Sequence, residues 1–150
     1  MSRASIYYRG DDVYVVSSAR DVHGIHRDGE WRVKLARTIS AHDLGEAVLA
    51  AFAAYRTDAP ARLYVRGTKS PPDAFLLFAG FKSWKAFEKG ATYFMLSAIE
   101  SGIEITPTTA GAKGGYLHHP EQAIRCSREA DDIGTCLHRQ ARPTSAPPPS

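Results

Sequence analysis

The sequence predicts an α+β protein with a mainly antiparallel sheet and two principal amphipathic helices, at about residues 41–56 and 129–140. From Trp31 to Leu35, apolar residues alternate with polar ones, and this period of two is typical of a strand with one solvated face. After Ser40 the apolar residues recur at the spacing of one helix face, and the same spacing returns near the C-terminus. Short apolar runs separated by glycine-containing turns fill much of the remaining chain, as expected for hairpins.

The first strands are expected at Ser5–Arg9 and Val13–Ser17, on either side of a turn at Gly10–Asp12. The alternating strand that begins at Trp31 follows Asp28-Gly29, and a glycine at this place predicts a tight hairpin turn. Gly24–His26 would then belong to the strand on the other side of that hairpin.

The helix over residues 41–56 has clear end signals. Ser40 is a favourable N-cap residue, and Asp43 lies where a carboxylate can bond back to the cap and favour the helix dipole. The alanine-rich stretch 47–54 has high helix propensity, and residues 57–60 end it.

The middle of the chain is less regular. A short strand is predicted at Leu63–Val65 and a loop at Lys69–Asp73, because the latter contains Pro71-Pro72. The apolar run Ala74–Phe78 fits either a buried strand or a buried piece of helix. Residues 83–89 are predicted as a short helix capped by Ser83 and stopped by Gly90, with the rings of Trp84 and Phe87 on one face.

The C-terminal part resembles the N-terminal part in its order of elements. A central strand is expected at Ala91–Ile99, an alternating strand at Ile103–Thr106, a loop at Ala110–Gly115 and a short strand at Ala123–Cys126, before the helix at 129–140. Shifting the chain by 89 residues places Asp43-Leu44-Gly45 on Asp132-Ile133-Gly134. This suggests an internal pseudo-duplication, with each helix start packed closely on the sheet and the 60–90 segment inserted between the halves.

Length and composition indicate one globular domain, expected over residues 1–142. The chain has 150 residues, 43% of them hydrophobic and 23% charged, which is an ordinary globular composition. Four of the nine prolines lie in residues 143–150, so a disordered proline-rich tail is expected there. The N-terminus lacks the pattern of a signal peptide, and no apolar run approaches the ~18 residues of a membrane span. The expected location is therefore the cytoplasm, with both cysteines reduced.

No constellation of residues predicts catalysis, a metal site or a cofactor. His23 and His26, or His118 and His119, provide too few ligands for zinc, and any set of these histidines with Lys113 is a weak ribonuclease-like signal. Cys126 and Cys136 are expected to be buried structural thiols. The net charge of +3 is spread among interspersed acidic residues, whereas nucleic-acid binders cluster positive charge.

Three segments together resemble one known family. They are residues 35–52 (LARTISAHDLGEAVLAAF), residues 79–90 (AGFKSWKAFEKG) and Asp132-Ile133-Gly134. In this order they resemble the immunity proteins of bacterial contact-dependent growth inhibition systems, specifically the group with a KSWKxF–KG segment. The resemblance runs from about Ile6 to Arg139, and KSWKAFEKG is its most specific part.

The resemblance implies a cytoplasmic protein that is not an enzyme. It would bind and neutralise the C-terminal toxin domain of the cognate exoprotein as a one-to-one complex, with no contact to a membrane or directly to nucleic acid. Such toxins are often nucleases, so a nuclease is the expected target. Immunity proteins against nucleases are commonly acidic, whereas this chain is slightly basic.

The candidate toxin-binding residues are charged side chains on expected turns or exposed strand faces. Carboxylates there would face a basic nuclease, and arginines are frequent interface anchors. The candidates are Arg9, Asp11, Asp12, Arg27, Asp28, Glu30, Arg32 and Arg66.

Two other hypotheses stay open at this point. One is a small RNA-binding or RNA-processing module, in which Tyr7, Tyr8, Tyr14 and Arg9 would stack on bases from a sheet face. The other is a metal-dependent or nucleotide-binding domain, for which the glycine-rich Ala110–Gly115 loop would be the phosphate-binding element.

Overall fold

A computed structural model describes residues 2–60 and 73–142. They form an eight-stranded sheet whose main path runs β3-β2-β1-β5-β6-β7, with β4 paired to β2 and β8 paired to β6. The strands and helices, in chain order, are β1 (Arg3–Arg9), β2 (Asp12–Asp21), β3 (His26–Ala36), α1 (Ala41–Ala53), β4 (Arg56–Ala59), α2 (Ala74–Ala79), α3 (Trp84–Glu88), β5 (Ala91–Ile99), β6 (Gly102–Ala110), β7 (Tyr116–His118), β8 (Ile124–Cys126) and α4 (Ala130–Gln140).

The pairings along the main path are antiparallel, and the short strand β4 pairs with β2 in parallel. The predicted α+β class, the mainly antiparallel sheet and the two principal helices are therefore confirmed. As predicted, β5 lies at the centre of the sheet, beside β1.

The strands divide the core into two layers, because their side chains alternate between the faces of the sheet. On the first face, Ile6 and Tyr8 of β1 pack with the buried residues of α1 and α4, such as Leu44 and Leu137. On the second face, Tyr7 packs with α2 and α3. Helices therefore cover both faces.

The two long helices touch each other at their first turns through two glycines. A Cβ added to Gly45 would overlap the carbonyl oxygen of Ala130, and one added to Gly134 would overlap that of Ala41. The sequence predicted that each glycine allows a helix start to pack on the sheet. The predicted contact with the sheet was wrong, because each glycine leaves room for the backbone of the other helix.

Residues that are 89 positions apart play the same part on the two sides of the contact between α1 and α4: Gly45 meets Ala130, and Gly134 meets Ala41. His42 hydrogen-bonds Asp131 across the junction, and these two residues are 89 positions apart. The β1–β2 and β5–β6 hairpins lie side by side through the β1–β5 pair. The helix pair and the two hairpins thus have a pseudo-two-fold arrangement, with α2 and α3 contributed by the segment between the halves.

The hairpin turn between β2 and β3 is not at the predicted place. It spans residues 22–25, where the Asp21 carboxylate accepts the N–H groups of His23 at 2.8 Å and Ile25 at 3.0 Å. Gly24 supplies the positive φ of 80°. Asp28 and Gly29 lie inside β3, so Gly24–His26 is largely turn rather than strand.

Gly29 has a packing role instead of a turn role. A Cβ at this position would overlap Ser17 Oγ, beside the register shift in β2 between Val16 and Ser18. A glycine in a strand interior often marks such a bulge or close approach, and this explains why its turn-like signal was misleading.

The remaining differences concern element ends and short strands. Helix α1 ends at Ala53 rather than near 56, because Arg56–Ala59 form β4 along β2. The apolar run from Ala74 is helical. The strand predicted at Leu63–Val65, most of the loop at 69–73, the tail at 143–150 and Arg66 lie outside the described residues.

Candidate interaction surface

The second face of the sheet carries an aromatic cluster centred on Tyr7. Its ring stacks on Tyr93 at 4.8 Å between centroids and meets Phe75 and Phe87 at 5.3 Å each. Tyr7 is 5% exposed. The cluster therefore holds α2 and α3 on β1 and β5 and forms one wall of the surface described below.

The KSWKAFEKG segment contributes to this wall through α3, which begins after the predicted cap residue Ser83. Ser83 Oγ accepts the N–H of Ala86 at 3.1 Å, which caps α3. The Trp84 ring stacks on Phe75 at 5.4 Å, and its Nε1 donates to Asp73 Oδ2 at 3.3 Å. Asp73 also caps α2 by accepting from Phe75. Trp84 and Phe87 lie 5.9 Å apart on the same face, as predicted.

Arg9 ties this wall to the sheet. Its Nε donates to the carbonyl oxygen of Phe87 at 3.1 Å, and a second nitrogen donates to that of Ala86 at 3.4 Å. The guanidinium also lies over the Phe81 ring at 4.2 Å from the centroid. Arg9 thus uses two of its five N–H donors and one face of its guanidinium inside the protein.

A cleft runs across the second face beside α2 and α3, and we call it the sheet cleft. It consists of two depressions of about 330 and 310 Å³ that share Arg27 and Asp28. The first depression reaches the aromatic wall at Trp84 and Tyr116. The second lies over the part of the sheet that α2 and α3 do not reach, and its lining includes Arg3, Ser5, Ser18, His26, Tyr93 and His118.

The side chains that line the sheet cleft have shifted pKa values. Burial raises the pKa of Tyr7 and Tyr93 above the usual range of a tyrosine, and the nearby Asp28 carboxylate adds to both shifts. Partial burial lowers the pKa of His26, and the positive charges of Arg3 and Arg20 lower it further. The two depressions therefore share the Asp28 carboxylate and Arg27, and the second one adds the basic side chains of Arg3 and His26.

Four of the predicted toxin-binding residues lie together on β3. Arg27, Asp28 and Arg32 line the sheet cleft, and Glu30 lines the adjoining depression toward β4. Arg27 donates to the carbonyl oxygen of Pro60, and Arg32 Nε donates to that of Glu30 at 3.1 Å. Strand β3 ends the main path of the sheet, so these side chains lie at its edge.

Asp11 and Asp12 lie away from this group, at the turn between β1 and β2. The Asp11 carbonyl oxygen accepts the N–H of Arg37 at 2.8 Å, and the Asp12 carboxylate is 3.7 Å from Lys34 Nζ. Asp28 and Glu30 were expected on an exposed turn, but they are strand residues.

The sequence did not single out the contributions of Arg3, Tyr93 and Tyr116 to the cleft. These residues come from β1, β5 and β7, and only the strand pairing brings them to one surface. Burial raises the pKa of Tyr116, with a further contribution from Glu88.

The rings proposed for base stacking are not available to a ligand. Tyr7, Tyr8 and Tyr14 are 5%, 1% and 2% exposed. Tyr8 even points to the opposite face from the other two. The RNA-binding hypothesis therefore loses the residues on which it was based.

The histidines and cysteines form no dense cluster. Within residues 2–60 and 73–142, no group of three His, Cys, Asp or Glu side chains is placed to hold a metal ion. Cys126 and Cys136 are free thiols of intermediate burial, less buried than predicted. Burial and the neighbouring Cys136 raise the pKa of Cys126 to about 12.

The glycine-rich loop after β6 binds a side chain of the protein itself. The N–H of Gly115 donates to Glu88 Oε2 at 3.2 Å, which joins this loop to α3. In the described part of the chain, no helix is long and apolar enough to span a membrane.

Two solved structures are similar to this chain over most of its length. One is a protein of unknown function, NMB0488 from Neisseria meningitidis, with 15% identity and a TM-score of 0.68 over 91% of this chain and 90% of that chain. The other is a chain of a CdiA-CT/CdiI toxin and immunity complex from Yersinia pseudotuberculosis, with 18% identity and a TM-score of 0.59 over 91% and 92%. No protein-family profile and no curated protein matches the sequence. The chain therefore shares its fold with a component of a toxin–immunity complex.

Proposed function

We propose that this protein is an immunity protein that binds and neutralises the toxin domain of a contact-dependent growth inhibition exoprotein. The observation that carries the proposal is the similarity, over nearly the whole length of both chains, to a chain of the CdiA-CT/CdiI complex. The fold alone does not specify function, because one fold can host unrelated activities. A second line of support is therefore needed.

That support comes from the segments that resemble the immunity family. KSWKAFEKG forms the capped helix α3 and the aromatic wall of the sheet cleft. Asp132-Ile133-Gly134 and its counterpart in α1 form the reciprocal helix contact. The segments that carry the resemblance are thus the ones that organise both layers of the structure.

The proposed interface is the charged edge on β3, made of Arg27, Asp28, Glu30 and Arg32. These side chains lie on one surface, next to a cleft with aromatic walls. Buried arginine and aromatic anchors carry most of the energy in typical interfaces of about 1,600 Å². Asp11, Asp12 and Arg66 remain proposed toxin contacts, whereas the internal bonds of Arg9 favour a structural role for it.

The proposal includes the cellular setting. Residues 1–142 would act as one domain in the cytoplasm, and the partner would be a single toxin domain, with a nuclease as the expected class. Neutralisation inside the producing cell requires that very little toxin stays free, which implies a Kd of about 1 nM or less.

Co-expression with the toxin domain encoded beside this gene tests the proposal. We expect a tagged toxin domain to retain this chain through purification, with the mass of a one-to-one complex in size-exclusion chromatography with light scattering. A folded chain that does not co-purify would contradict the proposal. Since the similar complex contains a toxin as well as an immunity protein, the chain is also expressed alone, and growth arrest would assign it to the toxin side.

A further inference from the structure

The second depression of the sheet cleft collects basic side chains from distant parts of the sequence. Arg3 comes from β1, His26 and Arg27 from β3, and His118 from β7. Ser18 is paired with Asp28 across β2 and β3, and Ser5 with Met95 across β1 and β5, so the depression crosses most of the sheet. Of these four residues, His26 and Arg27 are neighbours in sequence, and the others are brought together by strand pairing.

The positive charges of this depression are only partly compensated. His26 Nε2 contacts Tyr55 Oη at 3.1 Å and Arg27 donates to a backbone carbonyl, but both of these partners are neutral. Within residues 2–60 and 73–142, the side chain of Arg3 makes no hydrogen bond or ion pair, whereas its backbone pairs with Ser97 of β5. Asp28 is the carboxylate on the lining, and it has interactions of its own.

Hydroxyl groups complete the lining. The Oγ of Ser5 and the Oη of Tyr93 lie 3.3 Å apart, and Ser5 and Ser18 are buried. Hydroxyls and guanidinium groups are donors suited to an oxyanion, and guanidinium groups bind phosphate or carboxylate in a bidentate geometry. The volume of about 310 Å³ equals roughly ten water molecules at ~30 Å³ each, so it admits an oxyanion together with part of its carrier.

We propose that this depression is a binding site for an oxyanion, either a phosphate or a carboxylate group. Arg3 and Arg27 provide the permanent positive charge, and His26 and His118 add charge when protonated. Ser5, Ser18 and Tyr93 donate hydrogen bonds from the floor of the site. The site is a property of this chain and does not depend on its binding a toxin.

Titration of the histidine rings with inorganic phosphate tests the site, followed by NMR of the Cε1–H signals at constant ionic strength. We expect the signals of His26 and His118 to shift together and to saturate with one Kd, while those of His23 and His138 stay unchanged. R3Q should weaken phosphate binding about tenfold, as expected from the loss of a charge-assisted hydrogen bond. The matched control is R139Q, on the exposed end of α4, which should bind as the wild type does.

Two further titrations distinguish the source of the oxyanion. Adenosine monophosphate binding more tightly than phosphate would assign a phosphate-bearing ligand, and succinate binding more tightly would assign a carboxylate-bearing one. If R3Q does not fold, the exposed substitution H118Q replaces it, with His26 as the reporter. Signals that move equally with chloride, or an R3Q or H118Q protein that binds phosphate as the wild type does, would overturn the proposal.

Discussion

Replacing Gly45 or Gly134 by alanine adds a single carbon atom and tests the close packing of α1 against α4. In a helix interior, alanine is more favourable than glycine by about 1 kcal/mol, so propensity alone predicts that G45A and G134A stabilise the protein. We expect the reverse: the free energy of unfolding should fall by about 2 kcal/mol or more in each variant, because the new Cβ would overlap the backbone of the other helix. Urea denaturation measures the change.

A matched control for these variants is T135A, which changes the exposed residue next to Gly134 on α4. Its free energy of unfolding should not fall, because the site is exposed and alanine has a higher helix propensity than threonine. A G45A or G134A protein as stable as T135A would contradict the close contact between the helices.

His42, at the contact between α1 and α4, makes a pH-dependent contribution to the stability of the protein. Its hydrogen bond to Asp131, at 2.7 Å, raises its pKa above the usual 6.5, and the charges of Asp131 and Glu46 act in the same direction. Because the folded-state pKa is raised, the stabilisation is fully present below the unfolded pKa and is lost as the pH rises through the folded pKa. H42Q should therefore lower the urea midpoint more at about pH 5 than at about pH 9. NMR titration should show the pKa of His42 falling toward 6.5 in D131N.

Arg9 shows how a residue predicted for the interface is used inside the protein. R9Q removes two hydrogen bonds to α3 and the contact with Phe81. We expect a loss of about 1–2 kcal/mol in thermal or urea unfolding. The folded fraction should bind the toxin domain with unchanged affinity, whereas weaker binding by a fully folded R9Q would place this residue in the interface.

At the scale of elements, α2 and α3 depend on each other through Trp84 and Asp73. The tryptophan stacks on Phe75 and donates to the carboxylate that caps α2, so it links both helices. W84A should cost about 3 kcal/mol, at the lower end of the range for this substitution because the ring is partly exposed. W84F keeps an aromatic ring and should lose clearly less. Normal stability of W84A together with loss of toxin binding would instead make Trp84 an interface anchor.

Most elements could be predicted because their signals are local. Ser40 and Ser83 cap helices as their positions in sequence suggest, and both caps are seen as hydrogen bonds to the first turn. The predicted position of the turn after β2 was wrong because Asp28-Gly29 resembles a turn sequence. In the structure Gly29 lies within β3, where a larger residue would overlap Ser17. The competing signal, an Asp21 side chain that binds two N–H groups of the turn, depends on a conformation that sequence spacing does not specify.

At the scale of the whole molecule, the sheet cleft could be predicted only in part. Arg27, Asp28 and Arg32 were identified because they are charged and were expected on turns or exposed strand faces, and the structure places all three on β3. Arg3 and His118 reach the same cleft through the order of the six strands on the main path, and this order is set by long-range pairing. The partner of the two helix glycines was missed for the same reason, since periodicity identifies a buried face but not what covers it.

We propose that this chain protects a cell from a toxin, and a growth assay tests this function most directly. Cells that express the toxin domain encoded beside this gene should grow normally when they also produce this chain. They should stop growing when the chain is absent, or when an immunity protein of a different toxin replaces it. Continued growth arrest in cells that contain this chain in soluble, folded form would contradict the account.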